Sequence, residues 1–187
     1  MYQTIPNKNL TFKQLQLSNT MRRLWTEHVL WTRFFILSTA FNLPDLQFVT
    51  QRLLQNPADF AKALKPYYGE HIALQFQQLL TEHLAIAGQL VNAAKAGNTA
   101  EADRQRKLWY ANAEEIARFL ATVNPYWSER EWRDLLFDHL RMTENEAVLV
   151  LTCRYEDSIK EYDAIQAEAL SMADVMTYGI TRQFHIA

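Results

Sequence analysis

Three of the five histidines in this 187-residue chain recur in one frame: "LWTEHV" at 24–29, "LLTEHL" at 79–84 and "LLFDHL" at 135–140. Each copy sets a histidine directly after an acid among apolar residues. Imidazole exchanges protons near neutral pH and, when neutral, binds transition metals, so His28, His83 and His139 are the first candidates for chemistry. Glu146, seven residues after His139, and Asp163 add carboxylates that bind the same ions. The candidate metal ligands are therefore His28, His83, His139, Glu146 and Asp163, with iron, manganese or zinc as the ion. Asn112, in the looser copy "LWYAN" at 108–112, and Thr143 are candidates for lining the same cavity or orienting a small molecule.

These residues need long helices to bring them together. The five prolines and four glycines leave tracts where helix breakers are scarce. The pattern predicts an all-α, up-and-down bundle of four to five long helices, with two short helices in the connection after the first. An N-terminal extension over 1–17 precedes a single helical-bundle domain over 18–187. The first helix runs from about Ser18 to Phe41 and stops before "NLPD". Asp45 caps a short helix to about Gln55, "NPADFAKALKP" forms another, and a long helix follows from about Glu70 to Ala96. Gly97 ends that helix, Asn98 or Thr99 caps the next, and Ser128 with Glu131 opens the one that reaches Thr152. The last runs from Asp157 or Ser158 to about Phe184.

The apolar stripes carry the histidines inward. Ile72, Phe76, Leu79, His83, Ile86 and Leu90 recur at spacings of four and three, and Leu24, His28, Trp31 and Phe35 repeat the arrangement. Trp132, Leu136, His139, Thr143, Glu146 and Val150 form a third stripe. In an antiparallel hairpin, residues equidistant from the turn lie level. His83 and Asn112 reflect about the Gly97–Asn98 break, and Asn112 and His139 about Pro125, so His28, His83, Asn112 and His139 share one layer. Glu146 and Asp163 reflect about 154.5, where no Pro or Gly marks a turn. Glu27, Glu82 and Asp138, each about 100° around the helix from its histidine, suit the bundle rim.

Composition excludes several classes. Hydrophobic residues make up 49% and charged residues 21%, which is globular usage, and a net charge of −2 offers no basic field for nucleic acid. No apolar run is long enough to cross a membrane and the start lacks a signal peptide's basic-then-apolar pattern, so the expectation is a cytoplasmic protein with no membrane partner. Cys153, the single cysteine, rules out an internal disulfide and falls at the tail of an apolar run, where it is expected to pack. Gly-rich phosphate loops, His-Glu-x-x-His and Gly-x-Ser-x-Gly are missing, so no nucleotide cofactor is expected. No acid stands three residues before any of the three histidines, which disfavours a ferritin-type di-iron pair although the bundle is ferritin-like or hemerythrin-like in the broad sense.

"LWTEHVLWTRFFILS", "VTQRLLQNPADFAKALKPYYG", "LLTEHLAIAGQLVNAAKAGN", "WYANAEEIARFL", "NPYWSE", "DHLRMTENEAV", "EYDAI" and "MADVMTYGITRQF" resemble a family of short helical proteins from spore-forming bacteria, over residues 20 to 184. Members often carry an acetylglutamate kinase label, which needs a parallel sheet and phosphate loops that this sequence lacks. The positions that carry the resemblance are His28, Arg33, His83, Asn112, His139, Thr143, Glu146, Asp163 and Asp174. The resemblance also implies histidines where this chain has Gln166 and Glu168. Glu168 keeps a metal-competent side chain and joins the cavity candidates, whereas Gln166 does not. The family has no assigned reaction.

Three functions fit these residues. One is a metal-binding bundle with an interior His/carboxylate site. Another is a metal-free binder or enzyme for a small molecule, with a histidine as general base and Asn112 orienting the substrate. In the third, the polar layer fixes helix register, and apolar faces carrying Trp109 and Trp132 join copies into a homo-oligomer.

Overall fold

Six helical elements carry residues 10–187, the part of the chain that this computed structural model describes: α1 (Phe12–Phe41), α2 (Leu46–Leu53), α3 (Asn56–Lys95), α4 (Thr99–Val123), α5 (Glu129–Leu151) and α6 (Tyr155–Gln183). No strand occurs among the described residues, so the all-α expectation holds.

Short-range chemistry sets the helix ends. α1 begins at Phe12, about one and a half turns before the expected Ser18, because Thr11 and Gln14 form a reciprocal capping box. Residues 12–17 thus belong to the bundle and Leu17 is buried; most of the expected extension that remains, residues 1–9, lies outside the described residues. Asp45 sits at the cap of α2, but its carboxylate accepts from Ser38 Oγ (2.9 Å) rather than from the helix. At the far end of α3, Gly97 takes φ +68°, Asn98 N–H reaches Ala93 O and Gly97 N–H reaches Ala94 O, a Schellman stop. Asn98 then caps α4 through Glu101 N–H, and Ser128 caps α5 through Glu131 N–H.

The turn before α6 is closed without glycine. Cys153 itself adopts φ +60°, with Arg154 N–H on Leu149 O (2.8 Å) and Cys153 N–H on Val150 O (3.1 Å). Its side chain is exposed, not packed as the apolar run before it suggested, because the left-handed position ends the buried stripe.

α3 folds back on itself. Asn56 bonds to His28 and the His83 ring lies 6.4 Å from the His28 ring, although 27 residues, about 40 Å of straight helix, separate Asn56 from His83. The reversal falls at Gly69, the one residue of α3 with non-helical backbone (φ +78°, ψ 173°), and Phe60 packs on Phe76 across it. Residues 56–68 therefore form the second short helix and 70–95 the long one. The returning arm makes 70–95 run parallel to α1, with Lys95 Nζ on Thr39 O (2.6 Å) at their shared end. From there on the helices alternate. α1, α3, α4, α5 and α6 close a ring in that order, with α6 returning beside α1, and α2 packs on α1.

Buried apolar side chains fall into two groups. The larger runs from Leu17 to Val29 on α1 and takes in Trp109, Trp132 and most of the buried face of α6. The smaller holds Phe35, Ile36, Val49, Leu53, Leu84, Val91, Ala147 and Val150. Trp109 and Trp132 lie inside the bundle (2% and 0% exposed) and offer no face for joining copies. In "NPYW", Trp127 is buried against α6, its indole N–H donating to Val175 O (3.1 Å) and its ring lying over Gly179. Among the described residues no helix is long and apolar enough to cross a membrane.

Candidate functional site: a buried histidine layer

His28, His83 and His139 meet in the bundle interior, each about 2% exposed. The His28 ring centre lies 5.7 Å from His139 and 6.4 Å from His83. α1, α3 and α5 each bring one ring because the apolar stripe around it must face the core. The expected layer is therefore present.

Each imidazole is held at Nδ1 by an oxygen on a neighbouring segment. Asn56 Oδ1 lies 3.0 Å from His28 Nδ1 while its amide NH2 donates to Leu24 O (3.0 Å). Asn112 repeats this, with Oδ1 2.9 Å from His83 Nδ1 and its NH2 on Leu79 O (3.2 Å). Since the amide NH2 is used on the carbonyl four residues before the histidine, the amide oxygen faces the ring and Nδ1 must be the donor. Both rings therefore present a lone pair at Nε2. Trp109 Nε1–H donates to that lone pair on His83 (3.1 Å). At His28 and His139 no hydrogen bond to Nε2 is present among the described residues.

His139 breaks the repetition. Its Nδ1 partner is Glu168 Oε2 (3.1 Å), and Glu168 Oε1, buried, has no partner. An asparagine has an NH2 for a nearby carbonyl where a carboxylate has only a second acceptor. The orphaned oxygen follows from that difference.

Glu146 is buried two turns further along the same stripe of α5 (1% exposed), and its carboxylate is held by the Arg33 guanidinium. Arg33 also reaches Ser158 O (3.2 Å) and covers the Tyr162 ring. The expected pairing of Glu146 with Asp163 is not made: Asp163 is exposed and stays out of the interior. The true reflection centre of the last hairpin is the 153.5 defined by His139 and Glu168, not 154.5. One residue of error in the centre moves the partner by two, about 200° around the helix. Thr143 is buried with its Oγ1 unpartnered. The three acids beside the histidines lie on the rim as expected: Glu27 pairs with Arg23 and Arg52, Asp138 with Arg141, and Glu82 is exposed. Among the described residues no three His, Cys, Asp or Glu side chains stand close enough, as placed, to grip one ion.

Sequence reasoning missed Asn56 and the Trp109 donor, and it named Arg33 only as a position that carries the resemblance. Asn56 had a signal. Asn56-Pro57 and Asn124-Pro125 are the two Asn-Pro pairs in the chain, and both asparagines are fully buried, Asn124 bonding to Tyr68 Oη (2.9 Å).

Burial holds the site neutral. The His28 imidazole is driven down from 6.5 to about 3 by burial first and then by His139, and His83 likewise to about 3 by burial and by its two neighbouring rings. Burial pushes the Glu146 carboxyl up from 4.5 to about 7, against the opposing pull of Arg33. Below 6.5 the unfolded chain binds protons that folded His28 and His83 refuse, so their contribution to stability is complete above 6.5 and is lost as pH falls toward 3. Glu146 has the opposite sign, since the folded state keeps its proton up to about 7, so its contribution falls as pH rises from 4.5. From 4.5 to 6.5 the two histidines outweigh the one carboxyl, so stability should rise with pH; above 6.5 it should dip. Urea midpoints measured across this range test it. Glu146→Gln should remove the dip and steepen the rise; an unchanged curve would refute the assignment.

Comparisons of the chain with protein-family models, curated proteins and solved structures yield no match.

Proposed function

We propose that the histidine layer is a transition-metal centre in the bundle interior, held through Nε2 of His28 and His139, with Glu168 orienting His139 from its Nδ1 side. The observation that carries this reading is the common tautomer: oxygen partners at Nδ1 leave Nε2 as the lone-pair nitrogen, which is how metal-binding imidazoles are oriented and made more basic. Two imidazoles sharing an ion through bonds of about 2.1 Å set their ring centres roughly 5–6.5 Å apart, a range that includes the 5.7 Å between His28 and His139. Glu168, a buried carboxylate on His139 Nδ1, makes that imidazole a stronger donor at Nε2. His83 joins when its Nε2 exchanges the Trp109 N–H for the ion. Glu146, held by Arg33, and Asp163, exposed, drop out of the ligand set.

An imidazole set suits iron or zinc. An ion there supplies Lewis acidity or one-electron redox chemistry. Membership of the spore-former family and a cytoplasmic setting, in which Cys153 stays reduced, belong to the same proposal. A histidine in place of Glu168, which the resemblance implies for other members, is metal-competent too.

Metal analysis of protein purified without chelator should find close to one ion per chain. A free ion at about 100 times its Kd should stabilise the fold by about 2.7 kcal/mol, and Glu168→Gln, which keeps an acceptor for His139, should weaken binding at least about tenfold. No bound metal and no thermal shift with added zinc, cobalt or manganese would sink the proposal. The Trp109 N–H on His83 Nε2 favours a second reading, a layer that only fixes register. In that case His83→Leu is neutral or stabilising.

A further inference from the structure

A cavity lies one helical turn beyond the histidine layer. Its volume is about 80 Å³. Thr32, four residues after His28, and Thr143, four after His139, line its floor with Trp109; Phe35, Leu84 and Val91 are among the apolar walls. Arg106, Glu144 and the exposed Val148 line the outer side.

One polar atom in it is unexplained. Helical threonines commonly donate to the carbonyl one turn back, and Thr32, Thr81, Thr122 and Thr177 all do so, at 2.7–2.9 Å. Thr39 and Thr181 do not, nor does Thr143, which is only 4% exposed and is the one of these three that lines the cavity. Its hydroxyl is left in an apolar cavity without a partner, an arrangement that is unfavourable unless something there completes the bond. The charges beside the cavity are already matched, because Arg106 Nε donates to Glu144 Oε1 (2.7 Å) and a second nitrogen of the same guanidinium reaches that carboxylate. A charged ligand has no counter-ion here.

We infer that this cavity binds a short, uncharged aliphatic molecule carrying one hydrogen-bonding oxygen, an alcohol, ketone or aldehyde, with its oxygen on Thr143 Oγ1 and its carbons against Phe35, Leu84 and Val91. A cavity of about 150 Å³ accommodates benzene, so half that volume sets the size at roughly three or four non-hydrogen atoms. The inference does not depend on the metal proposal. Every wall and the Thr143 hydroxyl remain when no ion is bound.

The test uses the full chain in chelator with 2-propanol and xenon as probes. The readout is the indole N–H resonance of Trp109, which lines the cavity. Both probes should shift it saturably. Thr143→Val should keep xenon binding and weaken 2-propanol about tenfold, the worth of one hydrogen bond. Ala147→Leu, which fills the cavity, should abolish both. Xenon binding without saturable 2-propanol binding, or 2-propanol binding unchanged in Thr143→Val, would overturn the inference. So would an indifferent Trp109 signal with both probes. Because chelator is present throughout, a failed metal analysis leaves these outcomes unaffected.

Discussion

Gly179→Ala should lower the melting temperature by roughly 6–12 °C, the equivalent of about 3 kcal/mol in a chain of this size. A Cβ at this position would lie inside the Trp127 indole, overlapping three atoms of the ring. The ring cannot yield cheaply, since its N–H is bonded to Val175 O one turn earlier on α6 and its face packs edge-on against Trp132. Gly97→Ala is the contrasting substitution. Nothing stands within 4 Å of a Cβ there, so only the backbone strain of φ +68° applies, about 1 kcal/mol. Calorimetric melts should therefore rank Gly179→Ala well below Gly97→Ala. Trp127→Leu should recover part of the loss in the Gly179→Ala background, because the clash disappears with the indole. Equal melting temperatures for the two glycine variants would mean that the indole is not seated on α6.

Arg33→Met should cost about 3–5 kcal/mol at pH 8, the penalty for leaving a buried charge without its partner. Glu146 is 1% exposed and has Arg33 as its only bonded partner among the described residues. Burial already lifts its carboxyl to about 7, so the charge is held in the fold only above that pH. The same variant measured at pH 5.5 should lose distinctly less, because folded Glu146 is already protonated there and leaves no bare carboxylate when Arg33 is removed. Arg33→Met with Glu146→Leu should recover most of the stability, since two apolar side chains of similar volume replace a pair whose desolvation offsets much of its attraction. Urea unfolding at the two pH values would decide this; a pH-independent loss below 1 kcal/mol would show that Glu146 is not carried as a buried ion.

The helical architecture and the histidine layer were legible because the features that encode them are local or periodic. Gly97 fixes one reflection centre and Pro125 another, so the meeting of His83 with Asn112 could be read from counting alone, and the structure puts 2.9 Å between them. Glu146 with Asp163 failed where no such mark exists. Cys153 adopts the left-handed conformation that Gly97 takes elsewhere, and no residue type announces it. The earlier start of α1 was readable in Thr11 and Gln14, which fit a capping box, but the periodic apolar stripe drew attention to Ser18 instead. Asn56 was within reach of the same counting, since it and His28 reflect about residue 42, where Asn42 ends α1 in the left-handed conformation (φ +52°), but no histidine copy marked that stretch. Arg33 was hidden because its partner Glu146 stands on another helix, and no turn mark in the sequence sets the two level.

The two apolar groups also need not open together. The larger extends past the histidine layer along α3 and α4 through Ile86, Leu90, Ala93 and Ala102, whereas Phe35, Val49, Leu53 and Val150 form a smaller one where α1, α2 and α5 meet, next to the open cavity. The small group is held by less apolar packing, so it can open while the large one stays closed. Amide hydrogens of residues 35–41, of α2 and of the last turn of α5 should exchange through a local opening of lower free energy than those around Met172 and Trp132. A short ligand seated in the cavity would raise protection in that smaller cooperative unit first.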